Sequence, residues 1–155
     1  MNKSEEKTME DFILYLYDGY RRFSHDKYAG HVLFIAIRYV TGAIGERKNL
    51  KISKKAEAKL GECKDLKMIK KAQKDNPNET VKEHKIPAKV FWEEFGSKKE
   101  KGKDFTRADA KRWLKEATIA IITKDEDKKI TGKGWKTDRP IDAYEKSGIV
   151  LKDIE

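Results

Sequence analysis

The stretch Thr118-Ile-Ala-Ile-Ile-Thr123 decides the fold class, because it is the clearest strand signal in a chain whose other apolar residues follow helical spacing. Five of its six residues are β-branched, and such side chains pack well on a pleated sheet. Thr106-Arg-Ala-Asp109 starts a helix before it, and Asp125-Glu-Asp127 starts a short helix or turn after it. We therefore predict an α+β fold, a mostly helical single domain with a small β element near Thr118-Thr123.

Two amphipathic helices are predicted near the N-terminus. The first follows a capping segment at Thr8-Met-Glu-Asp11, and the second follows Asp26 and ends at Gly42 and Gly45. A strand remains an alternative for the second segment, because it is rich in β-branched residues. Apolar side chains recur at helical spacing in both segments: Phe12, Ile13, Leu16, Tyr17, Tyr20 and Phe23, then Tyr28, Val32, Ile35, Ile37, Tyr39 and Val40. We assign these aromatic residues to core packing and not to base stacking.

Capping and turn residues divide the rest of the chain. Ser53 caps a short helix through Leu60, which Gly61 ends, and a lysine-rich segment runs from Leu66 to Lys74. The loop Asp75-Asn-Pro-Asn78 joins two candidate subregions, 1–74 and 79–155, of one domain spanning 1–155. Three further elements are predicted: a helix over Ala88–Phe95 behind Pro87, an exposed loop over Ser97–Asp104, and a final short helix over Ile141–Lys146.

Composition favours a protein of a reducing compartment. Cys63 is the one cysteine and has no partner for an internal disulfide, and Met1 to Asp11 is polar and acidic, unlike a signal peptide. The longest apolar run, Val32 to Ile37, is much shorter than the roughly 20 residues that a membrane span needs. We therefore expect a cytoplasmic protein with no membrane partner.

Positive charge is concentrated in one segment. Between Arg47 and Lys74, eleven basic residues stand against three acidic ones, so this segment carries +8 of a chain total of +9. Such a patch can neutralise phosphates and release their counterions, although a solvated lysine face needs no ligand. We expect contact with DNA or RNA through eight of these side chains: Arg47, Lys48, Lys51, Lys54, Lys55, Lys67, Lys70 and Lys71.

One short motif has the residue types of a hydrolytic site. Glu83-His84-Lys85-Ile86-Pro87 resembles the opening element of the HNH, or ββα-metal, nucleases. The resemblance implies that His84 is the general base that activates water and that Glu83 binds a divalent metal, with Asp127 in place of the last ligand. Mg²⁺ or Mn²⁺ is expected only under this interpretation, and otherwise no cofactor is expected.

The same five letters also fit a structural histidine beside a proline that starts a helix. No Asn and no His follow His84, so the central asparagine and the final histidine of the nuclease family have no counterpart. A looser pattern, Glu83-His-x-Ile-Pro87, Ile121-Ile-Thr123, Glu126-Asp127 and Tyr144-Glu-Lys-Ser-Gly-Ile149, resembles small bacterial and phage proteins without an assigned activity.

Three interpretations therefore remain open, and the sequence favours a binding protein over an enzyme. The first is a small basic nucleic-acid-associated protein, as in a mobile element or a phage-host conflict system. The second is a divergent metal-dependent nuclease centred on Glu83 and His84. The third is an inhibitor of a host defence complex whose lysine face binds an acidic protein partner.

Overall fold

The structure, a computed structural model, describes residues 1–136 and 138–154. In this part of the chain, helices and strands follow in the order α1 (Lys3–Phe23), α2 (Lys27–Lys48), β1 (Leu50–Ser53), α3 (Lys54–Leu60), α4 (Leu66–Asp75), β2 (Thr80–His84), α5 (Ala88–Glu100), α6 (Arg107–Glu116), β3 (Ile119–Thr123), α7 (Lys124–Gly132), α8 (Ala143–Lys146) and β4 (Leu151–Asp153). Helices make up 63% of the structure. The prediction of a mostly helical α+β fold is confirmed.

Helix α1 begins five residues earlier than the predicted cap at Thr8. Asn2 and Glu5 form a capping box, in which the Glu5 amide donates to Asn2 Oδ1 and the Asn2 amide donates to Glu5 Oε2, both at 2.9 Å. These two bonds satisfy amides that a helix start leaves without partners, so the helix extends back to Lys3.

Helix α2 begins where it was predicted and continues past its predicted end. The Asp26 carboxylate accepts hydrogen bonds from the amides of Tyr28 and Ala29, at 3.0 and 2.8 Å. The prediction that Gly42 and Gly45 end the helix is wrong, because it runs on to Lys48. Both glycines instead allow the helix to lie close to the sheet, as described below.

The four strands form one sheet in the order β2-β3-β1-β4. Strand β1 is parallel to β3, whereas β2 pairs with β3 and β4 pairs with β1 in antiparallel fashion. Every residue of β3 is buried, which explains its continuous apolar run. Strand β1 precedes the 75–78 loop and β2 follows it, and both flank β3.

A large helical core lies beside the sheet and buries Leu16 and Trp113, which are 8% and 0% exposed. The Trp113 ring contacts Phe91, Phe95 and Phe105, with centroid distances of 4.7, 4.7 and 5.1 Å. Two smaller clusters pack on the sheet, one with α3 and α4 and the other with α7 and α8. These clusters fix the positions of the charged helices.

The assignment of the aromatic stripes to core packing is wrong for four side chains. Tyr28 and Tyr39 on α2 are 80% and 79% exposed, and Phe12 and Phe23 on α1 are also exposed. The face of α2 that carries both tyrosines points away from α1, α5 and α6, the helices that bury its other side.

Three further boundaries differ from the prediction. Helix α5 continues to Glu100, so the first part of the expected Ser97–Asp104 loop is helical. Helix α8 begins at Ala143 and not at Ile141. The short helix Lys54–Leu60 with its cap at Ser53 agrees with the prediction. The lysine-rich segment Leu66–Lys74, for which no element was predicted, lies in helix α4, so Asp75 is helical and the predicted loop begins one residue later.

In the described part of the chain, α2 is the one helix that is long and apolar enough to cross a membrane, with a mean hydropathy of 1.2 over its best window. Length and composition alone meet this criterion. A buried helix of a folded protein meets it too, and 33% of this window is buried here.

Candidate functional site

Helix α4 presents a row of lysines on one exposed face. Lys67, Lys70, Lys71 and Lys74 follow the i, i+3, i+4, i+7 spacing that places side chains on one side of a helix, and all four are exposed. The opposite side buries Ile69 in the cluster under the sheet. Packing of this apolar residue therefore turns the lysines outward.

The structure divides the eight predicted binding residues into two sets. Arg47 lies 3.7 Å from Glu5, Lys48 pairs with Glu6, and Lys51 lies 2.5 Å from Asp153. Five lysines are exposed and have no acidic oxygen within 4.0 Å in the described part of the chain: Lys54, Lys55, Lys67, Lys70 and Lys71. We call these five residues, on the neighbouring helices α3 and α4, the lysine face.

A groove of about 440 Å³ lies next to the lysine face, between α2 and strand β2. Lys70 belongs to both the groove and the lysine face. Arg38 and Lys82 line the same groove, and Tyr39 and Gly42 lie along its α2 side. The groove therefore combines basic side chains with an exposed aromatic ring.

A second cleft, of about 370 Å³, contains all three residues predicted for the nuclease site. Glu83, His84 and Asp127 line it, although Asp127 is distant in sequence and lies in the first turn of α7. Arg38 and His84 line both this cleft and the basic groove, so the two depressions adjoin.

His84 packs against the backbone of α2. Its Nε2 lies 3.2 Å from the Arg38 carbonyl oxygen, and a Cβ at Gly42 would lie 3.2 Å from the same nitrogen. A neutral ring with its hydrogen on Nε2 satisfies this contact and leaves Nδ1 as an acceptor. Burial lowers the pKa of His84, against the opposing effect of the Arg38 carbonyl, so the ring favours the neutral form.

Glu83 lies beside a buried arginine that the sequence analysis missed. The Arg139 side chain is 1% exposed, and its guanidinium lies 3.6 Å from Glu83 Oε2. The same guanidinium donates to the carbonyls of His84, at 2.8 Å, and Trp135, at 3.0 Å. Burial and the Asp127 carboxylate raise the pKa of Glu83, although Arg139 opposes them. No motif marks Arg139 in the sequence.

Tyr144, part of the looser sequence pattern, closes this cluster. Its hydroxyl lies 3.1 Å from the Arg139 guanidinium, and burial raises the pKa of the phenol well above its usual range. The cluster of Glu83, Asp127, Arg139 and Tyr144 thus places a phenol, two carboxyls and a guanidinium beside the cleft. Through the contacts of Arg139 with Glu83 and with the His84 carbonyl, this cluster connects the segment after α7 to the end of β2.

The predicted metal ligands do not form a three-ligand site in the described chain. Glu83 and His84 are consecutive on β2 and both line the cleft, but their side chains have different partners: Glu83 lies beside Arg139, and His84 contacts the Arg38 carbonyl. Asp127 Oδ1 is buried without a hydrogen-bond partner, yet no group of three His, Cys, Asp or Glu residues in residues 1–136 and 138–154 could hold a metal ion. This geometry does not fit a catalytic metal, and we derive no step through one.

Cys63 is buried, and burial raises the pKa of its thiol. This environment favours the unreactive protonated form over a nucleophilic thiolate.

No family model, curated protein or solved structure matches this chain. The geometry of its own residues therefore carries the functional argument.

Proposed function

We propose that this protein binds DNA or RNA through the lysine face, without reading base sequence. The observation that carries the proposal is the set of five exposed lysines, without ion pairs in the described chain, on the adjacent helices α3 and α4. Three of them, Lys67, Lys70 and Lys71, lie on one face of α4.

The chemistry of lysine supports a binding mode that is independent of sequence. An ammonium group is a compact point charge, whereas the planar guanidinium of arginine matches phosphate with two parallel hydrogen bonds. A surface of lysines therefore neutralises phosphates and releases counterions without fixing the register of the bases. The chain total of +9 adds a long-range attraction for a polyanion.

The test compares two triple variants with equal loss of charge. Lys67→Gln/Lys70→Gln/Lys71→Gln removes the centre of the lysine face, and Lys101→Gln/Lys111→Gln/Lys115→Gln removes three exposed lysines from α6 and the end of α5. Fluorescence anisotropy with labelled DNA and RNA measures both affinities. We expect roughly tenfold weaker binding for the first variant and a much smaller effect for the second. Equal effects would show that net charge, and not this surface, governs binding.

The two alternative functions remain hypotheses. The meeting of Glu83, His84 and Asp127 in one cleft supports the nuclease, although the geometry lacks a three-ligand metal site in the described chain. An inhibitor that binds an acidic protein would use the same lysine face. A protein partner from a cell lysate that stays bound after the lysate is treated with nuclease would favour this third function.

A further inference from the structure

The outer face of α2 carries a row of large apolar side chains in solvent. Tyr28, Val32, Ile35 and Tyr39 are 80%, 64%, 51% and 79% exposed. Their i, i+4, i+7, i+11 spacing places them in one stripe, on the side that faces away from the helical core. A contiguous patch of exposed apolar side chains marks an interaction surface, whereas single exposed apolar residues are common and need no explanation.

The C-terminal end of the stripe enters the basic groove. Ile35 and Tyr39 line the groove together with Gly42 and Ala43. Lys70 and Arg38 lie on the same groove, and Arg38 has no ion pair in the described chain. The exposed Tyr39 ring thus lies in a groove whose lining also includes the unpaired cations Arg38 and Lys70 of the described chain.

We propose that the groove holds a single-stranded nucleic acid, with one unpaired base stacked on Tyr39 and the adjoining phosphates at Arg38 and Lys70. The inference rests on the proposed function, because Lys70 connects the groove to the lysine face. Single strands offer the free faces of their bases to aromatic side chains, whereas duplex bases are already stacked on one another. Basic grooves with aromatic platforms suit this ligand.

The charges around the stripe favour nucleic acid over an apolar protein helix as the occupant. Helix α2 has no acidic residue before Glu46, and Glu46 is paired with Lys82 across the groove. The lysine face adjoins the groove through Lys70, so one polyanion could contact both surfaces. The alternative occupant is a helix of a partner protein packed on Val32 and Ile35. The experiment below distinguishes it from a nucleic acid.

The experiment measures fluorescence anisotropy with a labelled oligothymidine of about 12 nucleotides and with a duplex of equal length. The variants are Tyr39→Ala, Tyr39→Phe and the control Tyr15→Ala, which removes a ring that is 75% exposed on α1, outside the groove. We expect Tyr39→Ala to weaken single-strand binding about tenfold, because the stacked base loses its platform. Tyr39→Phe keeps the aromatic face, so we expect it to retain most of the affinity.

Duplex binding should be unchanged in all three variants, and their melting temperatures should match that of the wild type. Wild-type single-strand affinity in Tyr39→Ala would overturn the inference and leave the lysine face intact, since the Lys67/Lys70/Lys71 variant tests that face separately. A partner protein that resists nuclease treatment and is lost in Tyr39→Ala, with single-strand binding unchanged, would identify the stripe as a protein interface and also overturn it. Failure of the wild type to bind either oligonucleotide would reject the proposed function itself.

Discussion

Gly45 of α2 and Ile119 of β3 meet backbone to backbone: a Cβ placed on Gly45 would lie 2.7 Å from the Ile119 nitrogen. This approach sets the distance between the long second helix and the central strand. It also brings α2 close to the end of β2, where His84 contacts the Arg38 carbonyl. The basic groove and the second cleft both open beside this junction.

Gly45→Ala should therefore destabilise the protein, by about 1–3 kcal/mol, because the added methyl group meets backbone atoms that cannot rotate away. Gly132→Ala in α7 is the matched control, since a Cβ there would have no atom of the described residues within 4 Å. Alanine is the better helix former, so the control should leave stability unchanged or raise it by up to about 1 kcal/mol. Urea unfolding of both variants measures the difference, and equal stabilities would contradict the close contact.

The helical core should be sensitive to loss of its large side chains. Leu16→Ala and Trp113→Ala should each lower the free energy of unfolding by about 2–5 kcal/mol, because both side chains are buried. Trp113→Ala also removes the indole hydrogen bond to Glu94, at 2.8 Å. Tyr28→Ala, at a residue that is 80% exposed, should change stability by less than about 0.5 kcal/mol. Thermal denaturation compares the three, and an unchanged melting temperature for Trp113→Ala would place its ring outside the core.

Local signals in the sequence predicted much of the fold. Asp26 and Ser53 cap helices because their side-chain oxygens accept amide hydrogens a few residues on, which is a local property. Strand β3 was equally clear, since burial on both faces demands an uninterrupted apolar run. Strands β2 and β4 were missed because they lie at the edges of the sheet and carry many polar residues, and β1 was missed because it is only four residues long.

The site was only partly predictable. The sequence predicted the five residues of the lysine face as binding residues from the local concentration of positive charge. It could not predict that Arg47, Lys48 and Lys51 pair with acidic residues far away in sequence, because those pairs form only in the tertiary structure. Helical spacing identifies a stripe without saying which side of the helix is covered, so Tyr39 was assigned to the core. Arg139 acts through burial against residues far away in sequence, which no local pattern reveals.

Stability should depend on pH through His84. The pKa of this imidazole is lowered in the folded protein, whereas the unfolded chain has the ordinary value near 6.5. The unfolded state therefore binds the proton more readily, and the free energy of unfolding should fall as pH drops through 6.5 toward the lowered folded pKa. Above pH 6.5 this contribution is fully present.

Urea unfolding between about pH 7.5 and 5.5, on either side of the ordinary histidine pKa, measures this dependence. His84→Gln should flatten the dependence, and His31→Gln, at an exposed position of α2, serves as the control. The raised pKa of Glu83 acts in the opposite direction, stabilising the fold as pH falls toward 4.5, and it is common to all three proteins. If the free energy of unfolding changes with pH equally in the wild type and in His84→Gln, the pKa of His84 is the same in the folded and the unfolded chain, which would contradict this prediction.

The nuclease hypothesis is tested by incubating the purified protein with plasmid DNA or RNA in Mg²⁺ or Mn²⁺. We expect no metal-dependent cleavage, because no group of three metal-ligating residues forms in the described chain. Cleavage that requires the metal and disappears in a folded His84→Ala variant would show that this expectation is wrong. Asp127→Asn should then weaken metal binding, so that cleavage requires a higher metal concentration.

The central claim, binding of nucleic acid through the lysine face, is tested most directly by the salt dependence of affinity. The dissociation constant for single-stranded DNA is measured by anisotropy over about 50 to 200 mM salt, for the wild type and for Lys67→Gln/Lys70→Gln/Lys71→Gln. Our account predicts that the logarithm of the association constant falls linearly with the logarithm of the salt concentration, and that this slope becomes shallower by about two in the variant, at roughly 0.7 per lost phosphate contact. An affinity that does not change with salt, or the same slope in both proteins, would contradict it.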